Sequence, residues 1–232
     1  MHRFVIMKQV LNNPAFYALA TGNKQLNEGD EHIKFFSNQV APFAGFDIDT
    51  QQGFQKLYEL LPHDGPAIYI SPDPIEIPEQ WDIVNLIMCY QMIYEGDHTS
   101  ADKPLRSLTY NDVPQMLALT QLTNPGPFLN NTINFGHYEG IFEGNKLIAM
   151  AGQRLNPLPY AEISAVCTHP DHLGKGYAKQ LLLSQADRIK TEGNIPFLHV
   201  REDNTRAIEV YKSMGFTIHQ QLHFYVLKKR SL

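Results

Sequence analysis

The sequence predicts an α+β protein: a mixed, mostly antiparallel β-sheet flanked by helices, with an additional N-terminal α/β subdomain. Three observations carry this expectation. Apolar residues recur at period 2 in several short segments and at helical period in others. In the second half an antiparallel meander comes first and a β-α-β-α order follows, which requires helices covering a mixed sheet. The polar, turn-rich segment Glu95 to Pro104 also divides two charge regimes, with 6 Lys/Arg against 14 Asp/Glu before residue 105 and 13 against 10 after it. The expected units are therefore residues 1–104 and 105–232.

In the first unit, Pro14 to Leu26 and Thr50 to Leu61 read as helices, the latter with Phe54, Leu57, Tyr58 and Leu61 at helical spacing. Ala67 to Ser71 is a short strand, and Trp81 to Tyr94 fits either a helix or a strand. In the second unit, Leu105 to Leu108 is a strand. Asn111 or Asp112 caps a helix with Pro114 in its first turn, running to about Leu122. Gly136 to Phe142 and Lys146 to Arg154 form a hairpin around Glu143-Gly144-Asn145, and Tyr160 to Thr168 is the next strand. Lys175 to Thr191 is a helix closed by Gly193. Ile195 to Val200 is a strand, Thr205 to Met214 a helix, and two strands, Thr217 to Gln220 and His223 to Lys228, finish the unit.

Composition excludes several classes. Hydrophobic residues make up 43% and charged residues 19% of 232 residues, which is ordinary for a folded globular chain. Two cysteines, Cys89 and Cys167, make neither a disulfide framework nor a four-cysteine zinc site. Trp81 to Ile93, the longest apolar candidate, is broken by Asp82, Asn85 and Gln91, and Met1 to Val10 carries Arg3, Lys8 and Gln9 in place of a signal block. A soluble cytoplasmic protein, without membrane or nucleic-acid partners, is expected. The one basic run, Lys228-Lys229-Arg230, is a terminal tail. The first half's acidic excess points to a cationic ligand there and the second half's basic excess to an anionic one, or simply to differently solvated surfaces.

The informative stretch is Tyr160 to Leu183. A strand ends near Thr168, and Gly174-Lys175-Gly176-Tyr177-Ala178 opens a helix. Two glycines let the backbone bend sharply, and the first helical amides, lacking intrahelical acceptors, can donate to an anion. Lys175 and Lys179 add positive charge, so the chemistry suits a pyrophosphate. No Walker A pattern is present, and Lys179 stands where a dinucleotide fingerprint needs a third glycine. Downstream, Asn204 is a good N-cap; Ala207, Ile208, Tyr211 and Met214 share the buried side of a short helix, and Gly215 ends it.

HPDHLGKGYAKQLL followed after one strand by NTRAIEVYKSMGF resembles the two signature motifs of the GNAT superfamily of N-acetyltransferases, most closely the branch allied with glycine N-acyltransferases. The resemblance covers about Leu105 to Lys229 and implies a GNAT-like sheet, with a divergent N-terminal half contributing to an acceptor cleft. It implies transfer of an acetyl group from acetyl-CoA, as cosubstrate and without a metal, to a primary amine by direct attack in a ternary complex. The acceptor classes left open are a small molecule, an amino acid and a protein N-terminus. By the same resemblance Val166, Cys167 and Thr168 pair with the pantetheine arm; Leu173, Gly174, Lys175, Gly176, Tyr177, Ala178 and Lys179 hold the pyrophosphate; Asn204 contacts the arm; and Tyr211 protonates the departing thiolate. Asp171 and Leu173 depart from the family pattern, which often has Gln or Arg and then Arg at those places, so the grip rests more on backbone amides and the lysines.

For the base, alternation puts Glu162 on one face with Ser164, Val166 and Thr168, and partial burial there raises a carboxyl pKa. Some family members carry a catalytic glutamate on this strand. A solvated or salt-bridged carboxylate, and deprotonation through water, are the competing readings of Glu162. Cys167 beside His169 reads better as a buried strand cysteine than as a nucleophile. His169 and His172 lie in a turn that fixes no metal-ligand spacing, and His219 with His223 lacks a third ligand. His199 reads as a packed strand residue. Phe35, Phe36, Phe43 and Phe46 are core residues by default and pocket residues by option. Two alternatives stand beside the enzyme: a non-catalytic acyl-CoA-binding sensor or regulatory module, and a phosphate-binding scaffold that does not take CoA.

Overall fold

The computed structural model describes residues 10–97 and 105–230. The start of the chain, residues 1–9, and residues 98–104 of the expected boundary lie outside the described residues.

Helix α1, Pro14–Ala20, starts where the Asn13 side chain accepts the Phe16 amide at 3.4 Å. The helix expected to reach Leu26 stops earlier, because Gly22 turns out to meet the loop before the eighth strand. Its amide donates to the Asn156 carbonyl at 3.1 Å, and a Cβ on Gly22 would stand 2.4 Å from that oxygen. A short 3-10 turn, Lys24–Leu26, then leads to strands β1, Ile33–Phe35, and β2, Phe43–Phe46. Helix α2, Thr50–Leu60, is capped by the Asp49 carboxylate, which accepts the Gln51 and Gln52 amides. It buries Phe54 and Leu57 in a cluster with Phe46, Trp81 and Leu227. Strands β3, Ala67–Ser71, and β4, Trp81–Tyr94, follow, so the Trp81 segment is a strand.

In the second half, β5, Arg106–Ser107, precedes α3, Val113–Thr123, at whose entry Thr109 and Asp112 form a reciprocal capping box. Strands β6, Glu139–Glu143, β7, Lys146–Gln153, and β8, Tyr160–Thr168, form the expected meander. Helix α4, Tyr177–Thr191, strand β9, Ile195–Arg201, and helix α5, Thr205–Ser213, come next.

The last segment corrects the sequence reading. A single strand, β10, Phe216–Lys229, replaces the two expected strands and the turn between them. It pairs antiparallel with β4 along nearly its whole length, and the irregularity between Ile218 and Gln220 is a bulge. Gln220, the expected end of the first of those strands, is satisfied internally, donating to the Leu11 carbonyl and to Gln91 Oε1.

Among the described residues the strands form one ten-stranded sheet in the order β1-β2-β3-β10-β4-β9-β8-β7-β6-β5. Only β2/β3 and β8/β9 are parallel pairs. Because β10 is inserted between β3 and β4, residues from both halves share the sheet and the cores. One core joins Leu19, Phe36 and Phe43 to Met116, Met150, Cys167 and Phe224. Another packs Leu182, Ala186 and Ile189 of α4 against Ala161, Ile163 and Leu198.

Candidate functional site

Strands β8 and β9 are hydrogen-bonded only at their starts, Tyr160–Glu162 against Ile195–Phe197. Beyond that they separate. The cause lies in β8: Ala165 sits at φ +53°, and the register with β7 slips between Gly152↔Ser164 and Met150↔Cys167. The result is a β-bulge, costly for a non-glycine residue and therefore held by its surroundings.

The bulge overturns the expected alternation. Ala161, Ile163 and Val166 pack toward α4, whereas Ala165 and Cys167 pack into the core containing α3. Val166 thus does not share a face with Glu162. The His169 amide donates to the Ile148 carbonyl at 2.7 Å, so alternation turns the Cys167 backbone toward β7 and the Val166 and Thr168 backbone toward the gap. Cys167 is buried and its thiol is pushed up to about 12, which fits a core residue and not a nucleophile.

Past β8 the chain turns through Pro170–His172, capped by the His169 ring, which accepts the Asp171 amide at 3.3 Å. Gly174 and Gly176 then adopt φ +78° and +79°, and a Cβ on either would meet nothing within 4 Å. These glycines are needed for their backbone conformation, not for crowding. They bring the amides at the start of α4 to an open surface, where Leu173, Lys175 and Lys179 are exposed. Lys175 Nζ lies 3.2 Å from His172 Nδ1, which holds the ammonium beside the turn.

The gap between β8 and β9 opens into a cavity of about 770 Å³. Its walls include Ile163 to Val166 of β8, Leu198 to Arg201 of β9, Asn204, and Tyr211 of α5. The far wall comes from the N-terminal half: Asn38, Phe43, His63, Ile68, Asn85 and Ile87. Of the four phenylalanines considered from sequence, Phe43 lines this space; Phe35, Phe36 and Phe46 are core. Asn204 caps α5 through the Ala207 amide, and the Tyr211 ring packs against Phe216 with centroids 5.9 Å apart. Burial pushes the Tyr211 phenol up to about 12, so it carries its proton at neutral pH.

Glu162 requires a second correction. It is fully buried at the foot of the gap. Its Oε2 accepts Arg154 Nε at 2.9 Å and the Leu155 amide at 3.1 Å, and its Oε1 accepts Arg154 Nη2 at 2.5 Å and lies 2.7 Å from His199 Nδ1. Burial alone pushes the carboxyl up, as expected, but Arg154 and His199 outweigh it and hold it down at about 2. The other ring nitrogen of His199 lies 3.0 Å from Gln91 Nε2, an amide turned by its bond to the Leu11 carbonyl. That nitrogen therefore accepts, and Nδ1 donates to Glu162. Sequence reading did not single out Arg154; the available signal was one arginine closing the apolar strand Lys146 to Gln153, eight residues before Glu162. Among the described residues no group of three or more His, Cys, Asp and Glu is placed to hold a metal ion, and no helix is long and apolar enough to cross a membrane.

A family model described as FR47-like protein matches residues 138–225, the span from β6 to β10. The N-alpha-acetyltransferase RimI of Mycobacterium tuberculosis is 33% identical over 84 residues, 34% of this chain and 51% of that one, so the chain spans about half the length of this curated relative. A solved structure, a putative acetyltransferase from the GNAT family of Novosphingobium aromaticivorans, superposes with TM-score 0.87 at 29% identity, covering 95% of this chain and 99% of the other. The chain is thus similar to GNAT acetyltransferases, in sequence over residues 138–225 and in fold over nearly its whole length. A GCN5-related N-acetyltransferase from Kribbella flavida shares the fold at 11% identity, with TM-score 0.62 and coverage of 94% and 95%. The Novosphingobium superposition extends the likeness through the N-terminal half as well.

Proposed function

We propose that this GNAT-like protein is an N-acetyltransferase that moves an acetyl group from acetyl-CoA to a primary amine within a ternary complex. The observation that carries this reading is the divergence of β8 from β9, which leaves the end of β8 unpaired on that side between a cavity bearing Tyr211 and the glycine turn at the start of α4. The amides of Leu173 to Lys179 and the lysines within that stretch would hold the diphosphate, and the open backbone of Val166 and Thr168, with Asn204, the arm. Cys167 contributes through its place in the strand. The thioester brings an activated acyl carbon to the cavity.

The chain's own groups then supply position and protons. The acceptor nitrogen attacks the acyl carbon, the C–N bond forms, and the C–S bond breaks. The Tyr211 phenol gives its proton to the departing thiolate and regains one from solvent. Glu162 is not assigned as the base: its carboxylate lone pairs are engaged and its basicity is low, so the amine proton leaves through water in the open cavity. Holding both substrates together supplies the larger part of the acceleration.

The test is release of free CoA from acetyl-CoA against a panel of primary amines, with Tyr211→Phe alongside. The expected result is amine-dependent release in the wild type and a loss of about 10²-fold or more in kcat for the variant, with CoA affinity retained. Binding of CoA without acceleration by any amine would instead identify the sensor module, and absence of CoA binding would leave the phosphate scaffold.

A further inference from the structure

The cavity that accommodates the acceptor contains no Asp, Glu or Lys among its lining residues. The acidic excess of the N-terminal half does not reach it, so the cationic acceptor suggested by that charge has no counter-charge there. Two arginines line it: Arg201, exposed and held in a bidentate pair by Asp203, and Arg154, a guanidinium of the inner wall that is nine-tenths buried. Glu162 takes its Nε–H and one Nη2–H in a side-on pair, and the Phe43 ring lies 4.7 Å from its central carbon. A guanidinium has five donors in a rigid fork, and two are used here. The end-on pair, from Nη1 and the remaining Nη2–H, has no recorded acceptor among the described residues. Nη1 lies on the side of the Pro125–Pro127 turn, another wall of the cavity, where a Cβ on Gly126 would stand 3.9 Å from it.

We infer that Arg154 is a specificity-determining residue whose end-on fork takes a carboxylate of the acceptor, making the substrate class amines that carry a carboxylate and an apolar side chain. This rests on the acetyltransferase reading and narrows its acceptor. Glu162, stacked Phe43 and His199 fix the guanidinium plane, so Glu162 and His199 are positioning residues. The fork offers two parallel N–H donors, which match the geometry of a carboxylate and give an amide carbonyl only one acceptor atom. The side-chain part of such a substrate fits the apolar walls of Phe43, Ile68, Ile87, Phe224 and Val226.

The experiment compares matched acceptors on the wild-type protein with acetyl-CoA: phenylalanine, phenylalaninamide and phenethylamine, and the corresponding leucine series. The expected result is a kcat/KM for the acid at least tenfold above both neutral-tailed partners, against the intrinsic reactivity that favours the less basic amide. In parallel, calorimetry with CoA present measures N-acetylphenylalanine against N-acetylphenylalaninamide, where at least tenfold tighter binding of the acid is expected. The double variant R154M/E162M, which removes both buried charges together, should bring both ratios toward one. Acid and amide turned over equally would overturn the inference and leave the acetyltransferase reading intact. If no amine releases CoA, that reading falls, and the calorimetric ratio decides the inference alone: tenfold preference for the acid supports the carboxylate fork, and equal or absent binding overturns it.

Discussion

The two ends of the splayed strand pair are built from opposite materials. At the α4 end the site is backbone: two glycines at positive φ, a row of amides and exposed lysines, all within a stretch of six residues. At the foot of the gap it is side chain: Arg154, Glu162, His199 and Gln91, almost fully withdrawn from water, with half-buried Gln220 beside them, drawn from four strands and the loop before β8. The exposed end can grip a phosphate with little cost because solvent screens whatever is left unpaired. At the buried end desolvation without compensation costs several kcal/mol, so the charges of Arg154 and Glu162 are paired with each other and the open fork of Arg154 faces the cavity. Under the proposed function, the site is loose where it would bind the carrier and rigid where it would select the acceptor.

This contrast sets the order of the expected effects. The largest belongs to the buried end. Arg154→Met alone leaves Glu162 without its partner and should cost about 3–5 kcal/mol of stability, whereas R154M/E162M should recover most of that loss, as read by urea denaturation. A single variant as stable as the wild type would show that the pair is not the rigid element described here.

Next comes the exposed end. Gly176→Val places a β-branched residue at φ +79°. The strain of about 1–3 kcal/mol should weaken CoA binding by about ten- to a hundredfold in calorimetry while leaving the denaturation midpoint far less changed than Arg154→Met does.

A pH series sharpens the comparison. The folded Glu162 carboxyl titrates at about 2, below its ordinary 4.5. A depressed acid pKa stabilises the fold fully above the ordinary value, and that contribution is lost as pH falls toward the folded one. The wild type should thus lose stability relative to R154M/E162M between pH 4.5 and 2, and parallel curves would remove the assignment. The smallest effect should come from Lys175→Ala: an exposed cation near a helix start is worth about 0.3–1 kcal/mol, giving a few-fold weaker CoA binding that fades in high salt.

Legibility in the sequence follows the same division. The strand-turn-helix of Tyr160 to Thr191 was readable almost to the residue because glycine conformations, caps and periodicity are local. The bulge at Ala165 was not, since alanine gives no sign of a positive φ and the slip is imposed by pairing with β7. For Glu162 the strand pattern shows burial, which raises a carboxyl pKa, but not the arginine across the hairpin that reverses the effect. The continuity of β10 is not legible locally, because the polar pair Gln220-Gln221 interrupts the apolar pattern and the Leu11 and Gln91 groups that satisfy Gln220 lie far away in the chain.

By itself the sequence determined the glycine turn, the α5 cap with Tyr211 on its inner side, and the order of elements that makes a GNAT sheet. All of these depend on interactions between residues a few places apart. Only the tertiary structure decided that β10 ties the two halves into one sheet, that β8 breaks away from β9, and that the carboxylate at the gap is a partner of Arg154. Each of those outcomes depends on which distant groups share a space from which water is excluded, where pairing and desolvation together outweigh any local preference.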